Sequence, residues 1–143
     1  MRYEQAQSIE SVQNGLEGQG YFPSEGLASA IFLAISLQRP IFLEGEPGVG
    51  KTEVAKVLSS WLDTDLIRLQ CYEGLDASHA IYEWDYSKQL LHLRTTEASG
   101  RAKQIDEKAL EDELYNQRFL VRRPLLKAID YEGETPPVLL IDE

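Results

Sequence analysis

The sequence GEPGVGKT at residues 45–52 decides how the rest of the chain is interpreted. It follows a short apolar run, Ile41 to Leu43, which is typical of a buried parallel strand. After it, apolar residues recur at helical spacing, which predicts an amphipathic helix beginning near Lys51. The loop at residues 45–52, between this strand and this helix, matches the complete pattern G-x-x-x-x-G-K-[ST]. Its glycines allow the backbone N–H groups to point inward at a phosphate, next to the positive end of the helix dipole.

We therefore predict that this loop binds ATP. Lys51 would reach the β- and γ-phosphates as a catalytic residue, and the Thr52 hydroxyl would bind Mg²⁺. The alternative is a glycine-rich turn that matches by accident, which a chain of this length would do on the order of a few times in a thousand. The predicted cofactor-binding residues are Gly45, Glu46, Pro47, Gly48, Val49, Gly50, Lys51 and Thr52.

A second candidate site element is the apolar run Val138 to Ile141, which is followed by Asp142 and Glu143. The run predicts a buried strand, and ligands bind at the carboxyl ends of parallel strands. We expect Asp142 to bind Mg²⁺ and Glu143 to orient and polarise the attacking water, as a Walker B element does. A strand followed by two acids is also an ordinary way to enter a loop, so the pair alone leaves both interpretations open.

The remaining pattern alternates helices with strands, which indicates an α/β fold with a parallel sheet. No single element is assigned to the aromatic segment 70–100, because its apolar residues follow no clean period. The predicted elements are a helix over Ile9 to Leu16, a buried helix capped by Ser24 and apolar nearly all round to Leu37, a strand over Leu66 to Leu69, an acidic helix over Ile105 to Leu114 and a helix over Leu125 to Ile129 after Pro124.

Composition excludes several classes of protein. An apolar share of 43% can fill a core, so disorder is excluded as the main state. A net charge of -10 repels a phosphate backbone, so we expect no nucleic-acid partner. The longest apolar stretch, Leu27 to Leu37, is too short to span a bilayer, so we expect no membrane insertion. The single cysteine, Cys71, cannot form an internal disulfide, and we expect a cytoplasmic protein.

The chain resembles the AAA+ ATPases, and in particular the MoxR branch that carries an insert in the second core helix. The stretches that carry the resemblance are GLASAIFLAISLQRPIFLEGEPGVGKTEVAKVLS, RLQCYEGLDASHAIYEWDYSKQLLHLR, RRPLLKAI and PPVLLIDE. The middle stretch is similar to a subgroup linked to the maturation of carbon monoxide dehydrogenase. The resemblance implies a three-layer P-loop fold, with the insert inside Glu73 to Gly100. Residues 1–143 would then be the N-terminal part of one AAA+ domain, truncated after the Walker B strand.

The resemblance also implies a hexameric ring that uses ATP and Mg²⁺ to remodel a protein client, commonly with a partner that bears a von Willebrand factor A domain. The family's arginine finger, sensors, helical lid and later core strands would lie beyond Glu143. We therefore expect the full-length protein to hydrolyse ATP, and the fragment alone to be inactive and aggregation-prone. Two alternatives stay open: a nucleotide-dependent binding module without hydrolysis, and a P-loop motor that acts on nucleic acid.

Other residues give weaker signals. Tyr21 would approach adenine if the resemblance holds, although an aromatic residue after a glycine bend is more often simply packed. Tyr82, Trp84 and Tyr86 alternate at strand spacing; they could line a ring pore or grip a client, or form the half-buried face of a hairpin. His79 and His92 lack ligands at metal-binding spacing.

Overall fold

The computed structural model describes residues 3–143, apart from the side chain of Ala102. The chain forms two compact units: residues 1–72 with 128–143, and residues 73–127. Helix α7 (Pro124–Ile129) runs across the division. The first unit contains α1 (Ile9–Gly18), α2 (Glu25–Leu37), α3 (Lys51–Trp61), β1 (Leu66–Gln70) and β4 (Val138–Asp142). The second contains α4 (Ala77–Ile81), β2 (Tyr82–Trp84), α5 (Tyr86–Ala98), α6 (Glu107–Leu114) and β3 (Leu120–Arg122), with 3₁₀ turns at Arg101–Lys103 and Gln117–Phe119.

The core of the first unit lies between its three helices. Helix α1 begins at a capping box in which the Ser8 and Ser11 side chains each accept a hydrogen bond from the other's backbone N–H. The predicted stripe of this helix buries Val12 and Leu16 completely. The fully formed cluster comprises Ala6, Val12, Leu16, Ala28, Ile31, Val54 and Val57. The sequence periodicity predicted α1 and α3 correctly because one apolar face of each helix meets this cluster.

Helix α2 corrects one expectation. Ser24 caps it as predicted, by accepting a hydrogen bond from the backbone N–H of Leu27 at 3.3 Å. The prediction that the helix is buried all round is wrong. Ala28 and Ile31 face the core, whereas Leu33 is 52% exposed and Leu37 is 65% exposed. The helix is apolar on both sides, but α1 and the core cluster cover only one of them.

The sheet of the first unit is a parallel pair. Strand β1 lies beside β4 in a register that runs from Leu66 opposite Val138 to Gln70 opposite Asp142. The parallel α/β arrangement predicted for these two segments is therefore confirmed. Helix α3 packs against both strands. This places the helix that follows the glycine-rich loop next to the strand that ends at the acidic pair.

The predicted strand over Ile41 to Leu43 is wrong. Among the described residues, this segment joins no ladder. Its side chains nevertheless alternate: Ile41 and Leu43 pack against the core cluster, whereas Phe42 is 88% exposed. A strand needs a hydrogen-bonded neighbour, and the two-stranded sheet of β1 and β4 does not extend to this segment.

The second unit resolves the segment that the sequence left unassigned. Strands β2 and β3 form an antiparallel pair in which Trp84 lies opposite Leu120. Trp84 packs edge-on against Tyr82, at 6.0 Å between ring centroids, and against Tyr115, at 5.1 Å. Strand spacing is confirmed for Tyr82 and Trp84 and is wrong for Tyr86, which begins α5. In the described part of the chain, no helix has the length and apolarity needed to cross a bilayer.

Candidate nucleotide-binding site

The glycine-rich loop is exposed and lies directly before α3. Gly48 has φ +83° and Gly50 has φ +88°, both in the left-handed region that glycine adopts without strain. Gly50 is also the N-cap of α3, and its carbonyl accepts hydrogen bonds from the N–H groups of Glu53 and Val54. The amides of Lys51 and Thr52 precede these first helical bonds. An N-terminus of this kind, whose cap residue has no side chain, presents free N–H groups to an anion.

The side chain of Lys51 folds back over the loop. Its Nζ donates hydrogen bonds to the carbonyl oxygens of Gly45 and Glu46, each at 2.7 Å. An ammonium group has three donors, so two of them are engaged by the loop itself. A phosphate that enters the loop would have to replace one or both carbonyls as acceptor. The amine is thus already placed across the loop, within the segment where the sequence predicted phosphate binding.

Asp142 is held by a residue that the sequence analysis did not identify. Its Oδ2 lies 2.5 Å from a guanidinium nitrogen of Arg68, which projects from the neighbouring strand β1. The Asp142 side chain is 23% exposed and that of Arg68 is 53% exposed. Arg68 is the one charged residue in the segment LIRLQ, and a charge inside the otherwise apolar run Leu66 to Leu69 was the available signal. Its partner depends on the strand register, which the sequence does not contain.

Glu143 lies directly beyond β4 and is exposed. Its backbone carbonyl accepts a hydrogen bond from the side-chain amide of Gln70, the residue opposite Asp142 in the sheet. The backbone N–H of Cys71 donates to the carbonyl of Asp142 at 2.6 Å. Two bonds from the end of β1 therefore fix the backbone of the acidic pair. The catalytic role of Glu143 and the metal role of Asp142 stay predictions.

Tyr21 lies close to the loop. Its ring carbon Cε2 is 3.9 Å from the position that a Cβ on Gly50 would occupy. The same side chain packs against the core cluster. Packing, one of the two roles considered for Tyr21, is thus present, and contact with adenine stays a prediction.

Thr52, the other residue predicted to bind Mg²⁺, is half-buried in the first turn of α3. Among residues 3–143, no three His, Cys, Asp or Glu side chains converge on a possible metal position. At nucleotide sites, Mg²⁺ is generally bound by one or two protein oxygens together with phosphate oxygens and water. A hydroxyl at Thr52 and a carboxylate at Asp142 are the oxygen ligands suited to that arrangement.

The family model for the AAA domain, dynein-related subfamily, matches residues 40–143. The chain belongs to this AAA family. The match includes both the glycine-rich loop and the acidic pair after β4. Members of the AAA family generally hydrolyse ATP with Mg²⁺ and commonly form oligomeric rings. The mixed helix and strand content and the parallel pair are compatible with a P-loop AAA+ fold. Searches of curated proteins and of solved structures found no match.

Proposed function

We propose that this AAA-family chain binds ATP with Mg²⁺ at residues 45–52, and that the full-length protein hydrolyses it to remodel a protein client. The observation that carries the proposal is the geometry of the loop. Two left-handed glycines, Gly48 and Gly50, lead into the N-terminus of α3, and the ammonium of Lys51 lies across the same loop. This combination supplies directed N–H groups and a positive charge, which are the groups that bind a polyphosphate.

Each residue would have a distinct task. Lys51 would exchange its two carbonyl acceptors for β- and γ-phosphate oxygens. Thr52 and Asp142 would hold Mg²⁺, which offsets the charge of the transferring phosphoryl group when bound. Glu143 would accept a hydrogen bond from the attacking water and so orient it. Arg68 would keep the Asp142 carboxylate in position until the metal is bound.

Within the AAA+ ATPases, we propose that the protein is a MoxR-type remodelling factor that acts in the cytoplasm. The resemblance of the quoted sequence stretches supports it, and so does a separate compact unit at residues 73–127, which includes Glu73 to Gly100, where the insert of that branch was expected. We propose a hexameric ring, a partner with a von Willebrand factor A domain, and a metalloenzyme complex as client. Residues 1–143 would belong to a single AAA+ domain.

The test compares ATP binding and phosphate release for the full-length protein and its Glu143→Gln variant. The amide keeps the size of the side chain but removes its negative charge, so ATP should still bind while phosphate release falls by at least tenfold. Asp142→Asn should in addition lose the dependence of ATP binding on Mg²⁺. Phosphate release at the wild-type rate from Glu143→Gln would refute the role of Glu143.

A nucleotide-dependent binding module without hydrolysis is the second candidate. The observation that favours it is that both Lys51 and Asp142 are engaged by protein groups, the loop carbonyls and Arg68. In that case the full-length protein would bind ATP but release phosphate no faster than its Glu143→Gln variant. The nucleic-acid motor has the weakest support because of the net charge of -10, and salt-dependent DNA binding would be the result in its favour.

A further inference from the structure

Helix α5 in the second unit buries two polar residues and exposes two leucines. Gln89 and Thr96 are buried, with 7% and 4% exposure, whereas Leu90 is 51% exposed and Leu91 is 66% exposed. The buried polar groups are satisfied: Nε2 of Gln89 donates to the carbonyl of Leu114 at 2.7 Å, and the Thr96 hydroxyl donates to the carbonyl of His92 at 2.8 Å. The side of α5 that faces the unit is therefore hydrogen-bonded in this orientation, which leaves the two leucines on the exposed side. They form a surface that is unusual for a helix.

One side of this helix borders an open groove of about 410 Å³. Four of its lining residues follow each other at i, i+3, i+4 and i+7 along α5, and two come from the 3₁₀ turn Gln117–Phe119. The groove combines an exposed leucine, a buried phenylalanine and basic groups at its edges. The lining residues are Lys88, Leu91, His92, Thr95, Arg118 and Phe119.

Arg118 has donors available for a ligand. Its guanidinium lies 4.6 Å from the ring centroid of Phe119 and 3.0 Å from Nε2 of His92. The same Nε2 lies 3.1 Å from a carboxylate oxygen of Glu113. A ring nitrogen carries either a hydrogen or a lone pair, so it cannot donate to Glu113 and accept from Arg118 at the same time. Since a guanidinium has five N–H donors, a carboxylate in the groove could accept from Arg118 without breaking an ion pair.

The acids near the groove already have basic partners. Glu113 accepts from Arg101 at 3.0 Å as well as facing His92, and Asp85 lies 3.4 Å from Nζ of Lys88. Residues 73–127 contain ten acidic and nine basic residues, a net charge of -1, whereas the rest of the chain contains fourteen and five, a net charge of -9. The residues that line the groove include Lys88 and Arg118 and no acidic residue, so the groove is less acidic than the chain as a whole.

We propose that the groove binds a segment of a partner protein in which carboxylates alternate with apolar side chains. A carboxylate would accept hydrogen bonds from Arg118 and attract Lys88, while an apolar side chain would cover Leu91. Carboxylates accept charge-assisted hydrogen bonds from arginine, and covering exposed leucine removes apolar surface from water. The inference concerns residues 88–119 and does not depend on nucleotide binding.

The test measures fluorescence anisotropy of a labelled peptide with alternating Glu and Leu, added to the nucleotide-free protein. We expect saturable binding that weakens at least tenfold in Arg118→Gln and in Leu91→Ser. The matched controls are Arg94→Gln and Leu90→Ser, which change exposed residues of the same helix outside the groove and should bind as wild type. Peptides with Gln in place of Glu, or Ser in place of Leu, should bind at least tenfold more weakly.

Arg118→Lys keeps the charge and should recover part of the lost affinity, which a folding defect would not allow. Equal loss in the control and groove variants would overturn the proposal, as would equal binding of the Glu and Gln peptides. Sedimentation velocity tests the other possible occupant of the groove, which is a second copy of this chain. Self-association that the groove variants abolish, without any peptide binding, would assign the groove to that copy and overturn the proposal.

Discussion

The guanidinium of Arg68 and the carboxylate of Asp142 approach to 2.5 Å across the parallel pair of β1 and β4. The Arg68 side chain is about half exposed, so solvent weakens the attraction, and such a pair contributes about 0–1 kcal/mol to stability. Its importance therefore lies in the position of Asp142. The arginine holds the carboxylate that we propose for Mg²⁺, and it would compete with that metal for the same oxygen.

We predict that Arg68→Met increases the apparent affinity of the protein for Mg²⁺ in the presence of ATP, because it removes the competing cation. Magnesium titration followed by ATP binding measures this shift. The free energy of unfolding should change by less than about 1 kcal/mol. Lys56→Met is the control, because it removes a positive charge whose partner is Glu53, on the exposed side of α3. A rise of equal size in the control would mean that overall charge, not Arg68, sets the affinity.

Two glycines of α1 provide a matched test of the core. A Cβ on Gly15 would lie 2.1 Å from the indole ring of Trp61, whereas a Cβ on Gly18 would have no heavy atom within 4 Å. We expect Gly15→Ala to lower the free energy of unfolding by about 1–3 kcal/mol, as overpacking does. Gly18→Ala should be neutral or stabilising by up to about 1 kcal/mol because alanine favours the helix. Urea denaturation measures both, and equal effects would contradict the close contact of α1 with Trp61.

Asp85 caps α5, and the backbone N–H of Lys88 donates to its Oδ1 at 3.0 Å. This bond holds the pKa of the Asp85 carboxyl below its ordinary value, with a smaller contribution from the charged side chain of Lys88. The contribution of the cap is complete above the unfolded-state pKa and is lost as the pH falls through the lower folded-state pKa. We predict that Lys88→Gln preserves most of the depression, as measured by carboxyl ¹³C titration. A return of the pKa to its ordinary value in this variant would show that charge dominates.

Local patterns predicted much of the fold. The loop at residues 45–52, the cap at Ser24 and the start of α3 near Lys51 depend on residues close together in the chain, and the structure has these elements where the sequence indicated them. The prediction of a strand over Ile41 to Leu43 was wrong because a strand depends on a hydrogen-bonded neighbour that is distant in the sequence. Arg68 was missed for the same reason, since its contact with Asp142 follows from the register of two segments far apart in sequence. Helix α5 was not predicted because the apolar residues of its segment follow no clean period.

The central claim is that residues 45–52 bind the phosphates of ATP. Isothermal calorimetry of ATP binding with Mg²⁺ tests it most directly, comparing the wild-type protein with Lys51→Ala and with Lys56→Ala. A charge-assisted hydrogen bond is worth about 1.5–3 kcal/mol, so Lys51→Ala should weaken binding roughly 10- to 100-fold. Lys56→Ala should bind as the wild type does, because its amine pairs with Glu53 and not with the loop. Unchanged ATP affinity in Lys51→Ala would contradict the account.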